Sequence, residues 1–418
     1  GSAANSIASS SDVAAVRPRT DGYAGVEVHL AAAQELMLIE PDPRRPGGLR
    51  FHHALARDAI YDLLTEAQRR QLHAAVAARH EAEGAAADSD RHALLAHHWE
   101  AAGDASRAVS YLDSAAARAE AAGSHVEVVS MLRRAQRLAA SGPTAAAAGQ
   151  DWDDRIGRAL FNLGNVKGSI EYMQRAVAPV TGPFPRGVAI VPRLIGEFAR
   201  IRLNRPGQPA LPAERQRVLA AADACLRLSY QHYEVQDLPA AMLACFLTVN
   251  LGRRAGGANV PLALGLASLA VASLSAPFLL DGHRYRDLAV AMAEELAAPD
   301  GLFWIGIGAS SFDLVQGRFS EAERLVDRAI AVAREHMGAR DWEMAVSHKA
   351  NLMRTMGRHR EGSELDGLTL ASSRDRGLVL GRIWGLTGRC KSLYWTGEIE
   401  AFRAELAELK ALIADADI

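Results

Sequence analysis

Histidine supplies the first residues of this chain that could do chemistry. His52-His53 and His97-His98 are adjacent pairs, and His92 stands near the second. Imidazoles at i,i+3 or i,i+4 on one helix face can share a metal ion, as in HExxH zinc sites. His92 lies five and six residues before His97 and His98, so on a helix these rings diverge and no metal site is expected. The paired carboxylates Asp153-Asp154 and Glu294-Glu295 are likewise adjacent, point to different faces, and read as helix-start or solvated charges. There is no GxSxG nucleophile turn, no recognisable Ser-His-Asp arrangement and no GxxxxGK[ST] phosphate loop. Arg69-Arg70, Arg133-Arg134 and Arg253-Arg254 lack interleaved aromatics and are balanced by acids, so they read as solvated faces. No catalytic residue, metal or cofactor is expected. The enzyme reading left open is a helical protein whose acid/base pair converges in a deep pocket.

Aromatic residues are the stronger candidates. Phe303, Trp304, Trp342, Trp384, Tyr394 and Trp395 gather in the last third of the chain. Such rings bury much area with few rotors, so an exposed one anchors a partner and a buried one builds core. Most should be core, with one or two facing a partner-binding groove.

The elements that must position these groups are helices. Hydrophobic residues make up 49% of the 418 residues but aromatics only 6%, leaving Ala and Leu, which favour helix and close helix contacts. The formal net charge of -2 argues against a general nucleic-acid or anionic-membrane binder. Cys225, Cys245 and Cys390 are odd in number and far apart, as expected of buried helix thiols in a reducing cytoplasm. The uncharged run Val260 to Leu280 is broken by Pro261, Gly265 and Pro277 and reads as a buried helix, not a membrane span. Residues 1–25, with Gly1-Ser2 and a Ser/Ala stretch through Ser11, read as a tag and disordered leader.

A period organises the rest. Gly317, Gly357 and Gly397 are 40 residues apart, each between two helical patterns; Gly282, Gly103, Gly164 and Gln236 occupy similar turns. Seven residues before these turns stand Ala96, Gly157, Ser229, Ser275, Ser310, Ala350 and Cys390, all small. Five after stand Ala108, Ser169, Ala241, Ala322 and Gly362, with the pattern failing at Asp287 and Phe402. Twelve after stand Ala115, Ala176, Thr248, Ala329 and Thr369. Two antiparallel helices approach closely only where side chains are small. The expected fold is therefore all-α: a right-handed solenoid of about seven tetratricopeptide-like hairpins over 65–418. Extra helices are expected at His125 to Ala139 and around Arg193 to Leu203, between Pro-rich connections at Pro179 to Pro192 and Pro206 to Pro212.

Residues 26–64 follow another pattern: an amphipathic helix in "VEVHLAAAQELMLIE", a hairpin tip in "PDPRRPGG", a returning strand in "LRFHH", then helix with a break near Thr65. Helix, wing and helix are what the end of a winged-helix domain looks like. The run Phe51, His53, Leu55, Arg57, Asp58, Tyr61, Leu64, Arg70 and His73 resembles the junction that follows the ATPase module of bacterial AAA/STAND-type signalling proteins, class III nucleotide cyclase relatives among them. "LLAHHWEAAGDASRAVSYL" is similar to their first repeat. The resemblance implies a cytoplasmic, non-catalytic sensory arm that binds a protein or peptide, or its own ATPase module, with neither nucleic acid nor membrane as partner. It also implies that His53 senses nucleotide in an intact parent, against a plain role in capping the wing. The cyclase aspartates and the phosphate loop of that family are missing here. The same architecture stands behind DNA-binding heads of ATP-dependent transcription activators, which gives the alternative parent.

Overall fold

The computed structural model describes residues 6–7, 26–43, 48–82, 84, 91–140, 145–204, 207–274, 278–376 and 379–415. Ser11 with most of the leader, the hairpin tip at 44–47, Pro206, Ser275 and Pro277 lie outside them. The chain is an all-α helical-repeat solenoid, and it divides into two compact units, 1–172 and 173–418.

The first unit opens with a small sheet. Helix α1 (Val26–Glu35) is shorter than the pattern predicts. Met37 turns left-handed at φ 52°, the Leu38 amide closes back on the Ala33 carbonyl at 2.9 Å, and the chain leaves as strand β2 (Ile39–Pro41). Strand β3 (Leu49–Phe51) returns antiparallel to it. Ser6–Ile7, expected in a disordered leader, instead forms strand β1 on the other edge of β3. Helix α2 (Ala54–Leu63) and helix α3 (Glu66–Ala82) break at Thr65 as anticipated. The break is a capping box: the Thr65 hydroxyl accepts from the Gln68 amide, and the Thr65 amide donates to Gln68 Oε1 at 2.9 Å.

The first repeat hairpin is α4 (His92–Ala102) and α5 (Ala105–Ala121). Gly103 carries the chain through φ 86°, where a side chain would be strained, and Asp104 caps α5 by accepting from the Arg107 amide at 3.0 Å. Helix α6 (His125–Ala139) is the predicted extra helix. Helices α7 (Ala145–Asn162) and α8 (Val166–Thr181) form the next hairpin around Gly164, and the unit boundary falls within α8. Ala96, Leu112, Val128, Leu132, Trp152 and Ile156 are at the centre of this unit's core.

The second unit holds α9 (Ile190–Arg202), the other predicted extra helix, and five hairpins. These are α10 (Arg215–Glu234) with α11 (Leu238–Ala255), α12 (Val260–Ala272) with α13 (Gly282–Leu296), and α14 (Pro299–Val315) with α15 (Phe319–His336). The last two are α16 (Ala339–Thr355) with α17 (His359–Asp375), and α18 (Val379–Thr396) with α19 (Ile399–Asp415). Buried Glu197 of α9 accepts from Asn250 Nδ2 of α11 at 2.9 Å, clipping the extra helix to the array. No described helix is long and apolar enough to cross a membrane, and the Val260 run forms α12, which ends at Ala272.

The small-residue register has a direct structural cause. In α7/α8 the Ser169 hydroxyl donates to the Gly157 carbonyl at 2.6 Å, joining the position five after the turn to that seven before it. In α16/α17 a Cβ on Gly362 would sit 3.0 Å from the Ala350 carbonyl, the same two positions. Gly282 is the exception. It is the first residue of α13, after the capping Asp281, and not a left-handed turn. A Cβ there would lie 2.7 Å from the Phe312 ring, so this glycine serves a helix contact, and the count taken from it slips.

Candidate functional site

The six predicted aromatics all fall on the first helices of their hairpins, but the packing treats them differently. Phe303 is 0% exposed, packed with Ala329, Ala333 and Ala345, and so is withdrawn from any partner surface. Trp342 is half-buried beside that cluster with Arg334 over its ring, and Trp384 is half-buried on α18. Trp304 is 43% exposed, set edge-on to Phe303 with ring centroids 5.1 Å apart. Tyr394 and Trp395 are 59% and 70% exposed. Their rings meet edge to face, His359 stacks on Trp395 at 5.9 Å, and Phe402 supports Tyr394 at 5.8 Å. The sequence brings four rings together here from three helices; His359 and Phe402 were not foreseen, because each lies across a turn from the α18 pair.

A cleft of about 560 Å³ lies in the same unit, lined by Arg202, Leu274, Phe278, Leu279, His283 and Val315. Phe278 is fully exposed beside it. Its lining also includes Ser273, Asp281 and Gln316, and the Asp281 carboxylate is engaged in capping α13, accepting from the Arg284 amide at 3.1 Å.

Several groups of catalytic type are engaged in structural contacts. Ser310 and Ser311 lie 3.0 and 3.3 Å from His348 Nε2, a serine–histidine contact that sequence spacing did not reveal. Both hydroxyls are placed to donate to the Ile307 carbonyl as well, an arrangement in which a His348 Nε2–H donates to them, the reverse of a general base. Burial holds His348 neutral, its pKa pushed down to about 4. Asp153 accepts from Gln136, Asp154 pairs with Arg158, and Glu294 pairs with Arg328. The arginine pairs are not merely solvated: Arg69 donates to the Leu64 and Asp62 carbonyls, Arg133 covers Tyr172, Arg134 pairs with Glu100, and Arg253 donates to the Ile201 carbonyl.

The histidines behave least as expected. His53 is the N-cap residue of α2 but makes no side-chain cap; its exposed ring contacts His52, with Nε2 3.1 Å from His52 Nδ1. On α4 the His97 and His98 rings lie 5.4 Å apart while His92 sits against Tyr111, and His98 meets His73 of α3, their Nδ1 atoms 2.8 Å apart. His97 and His80 flank the pair. Among the described residues no group of three or more His, Cys, Asp or Glu is arranged to hold a metal ion.

Fold and surface together define a class, the helical-repeat solenoid with aromatic rings presented on its first helices. No family model matches the sequence, and no curated protein matches it. Among solved structures the chain is similar to a human IFIT1 dimer with m7Gppp-AAAA, at 13% identity and TM-score 0.41, covering 76% of this chain and 67% of that one. It is also similar to a Signal Transduction ATPase with Numerous Domains (STAND) protein with a tetratricopeptide repeat sensor from Pyrococcus horikoshii, at 10% identity and TM-score 0.36. That match covers 98% of this chain, which spans only 61% of the archaeal protein.

Proposed function

We propose that this chain is a non-catalytic docking arm that holds a protein or peptide partner and regulates an ATPase-linked signalling protein, a nucleotide cyclase relative in its finer form. The observation that carries this reading is the display of Trp304, Tyr394 and Trp395 to solvent on first helices of the last hairpins, where Phe303 is packed away. Solvent-facing rings of this size are costly unless a partner covers them, and they are the commonest binding anchors. In this reading 65–418 is the sensing array and 26–64 a winged-helix remnant. Its support is the β2–β3 wing between α1 and α2 and the apolar stripe of α2, where Leu55 and Leu63 are both 83% exposed and nothing is buried. That stripe is a seat for an ATPase module, and His53 beside it is where such a module's nucleotide would be sensed. A partner in the array would favour one arrangement of array and module over the other, shifting the on/off balance.

The test is capture on the immobilised chain, followed by affinity measurement with the purified captured protein. Trp304→Ala with Trp395→Ala, shown to be folded by circular dichroism, is expected to weaken binding by roughly tenfold to a hundredfold. Unchanged affinity in the folded double variant would remove these rings as the docking site.

A further inference from the structure

We propose that two copies of this chain pair through the link between α12 and α13, Phe278 of each filling the cleft of the other. The other hairpins of the second unit turn in two or three residues, at 235–237, 316–318, 356–358 and 397–398. Between Ala272 and Gly282 the chain takes nine, 273–281. At the described end of that link the side chains are apolar where a surface turn usually carries polar ones. Leu280 is buried, but Leu279 is 59% exposed and the Phe278 ring is wholly in water. Beside the ring lies the cleft of about 560 Å³, floored by buried Leu280 and Phe312 and walled by Leu274 and Val315. A cavity of roughly 150 Å³ already admits a benzene ring, so a second copy's Phe278 has room to enter.

Knob and hole therefore stand side by side on one surface. A two-fold contact requires this, because one patch meets its own copy and must supply both halves. The rim is self-complementary as well. Arg202 and Asp281 are both exposed on the cleft lining, a cation and a carboxylate that make no ion pair with each other within the chain. One oxygen of Asp281 caps α13, and the other is left to accept from the Arg202 of a second copy. The size of the patch suits a pair. Phe278, Leu279, Val315 and Leu203 are 100%, 59%, 65% and 64% exposed and together offer roughly 400 Å² of apolar surface per copy. Interfaces are a little over half apolar, so with its polar rim the patch reaches roughly 700 Å² a side, near the ~800 Å² of a standard specific contact.

Sedimentation velocity of the whole chain decides the matter. The native chain is expected to pass from monomer to dimer by roughly 100 μM, the weak end of the range for contacts of this size. Phe278→Asp replaces a wholly exposed side chain, so folding is unaffected, and should raise the dissociation constant at least about tenfold. A second experiment places the ring. Phe278→Cys and Val315→Cys chains, mixed and mildly oxidised, should form a disulfide-joined pair in greater yield than either chain alone, the native thiols being buried. A chain that stays monomeric, which would leave the cleft to a different protein or a small molecule, would overturn the pairing. So would a dimer as tight in Phe278→Asp as in the native chain, or cysteine variants that cross-link no better mixed than apart.

Discussion

At the scale of single residues, adjacent side chains of one type have opposite fates. Phe303 and Trp304 are neighbours, yet one fills the space between Ala329 and Ala345 and the other meets water. Phe303→Ala should cost about 3–5 kcal/mol in denaturant unfolding, the sum of lost transfer energy and a cavity. Trp395→Ala should change stability by no more than about 1 kcal/mol, since the ring is mostly solvated in the folded chain. A large loss from Trp395→Ala would mean the ring is structural and not an anchor. The choice between these fates was not legible in the sequence, because α14 is apolar nearly all round and offers no pattern to mark its outer face. The His73–His98 contact was equally hidden. Testing spacing within α4 could only ask whether His92 converges with His97 and His98, whereas the partner comes from α3, 25 residues earlier.

Between elements, the array is held by helices touching at small residues and by charges buried at their crossings. Asp313 is wholly buried, with Oδ2 accepting from Arg286 Nε at 3.0 Å and Nη2 at 2.6 Å, and Arg318 on its other oxygen. Asp313→Ala would leave the largely buried Arg286 with only Asp287 at 2.9 Å and Glu321 at 3.7 Å, and should cost about 3 kcal/mol in urea unfolding. Asp366 of α17 makes the corresponding demand of α18. Gly388 lies against its carboxylate, and a Cβ there would be 2.2 Å from Oδ2. Gly388→Ala should therefore cost about 2–3 kcal/mol, in contrast to the stabilisation an alanine usually brings to a helix interior; a neutral or stabilised variant would refute this close approach. The small positions seven before and five after turns such as Gly164 and Gly357 were readable in advance because their smallness is a steric requirement of the crossing. Gly282 misled because a glycine can answer either a turn or a close contact, and sequence does not say which. The ion pairs at Asp313 and Asp366 were unreadable, since their partners come from other helices.

For the whole molecule, a stack of hairpins implies that each repeat feels mainly its neighbours. Damage in one unit should then stay local. Phe303→Ala is expected to accelerate hydrogen exchange in α14 to α16 while leaving the protection of α5 to α7 within about twofold; equal acceleration in both would show a single cooperative block instead. The seven hairpins and two extra helices could be counted from the sequence because turns and helix periods are local signals. The sheet of β1, β2 and β3 was only partly visible: the β2–β3 pair could be read from the local sequence, but nothing in Ser6–Ile7 advertises a strand whose partner lies more than 40 residues away.

The three cysteines give the chain an internal clock for its second unit. Cys225, Cys245 and Cys390 are all buried there, and the first unit has none. Burial raises all three thiols, to about 12 for Cys225 and Cys245, so the folded chain should be inert to alkylating reagents. Each thiol labelled over time then records an opening of its own surroundings, Cys225 and Cys245 on α10 and α11 and Cys390 on α18, and is blind to 1–172. Since no reactive native thiol competes, a single cysteine placed at an exposed position such as Gln236 would accept a fluorophore without any prior removal of the others.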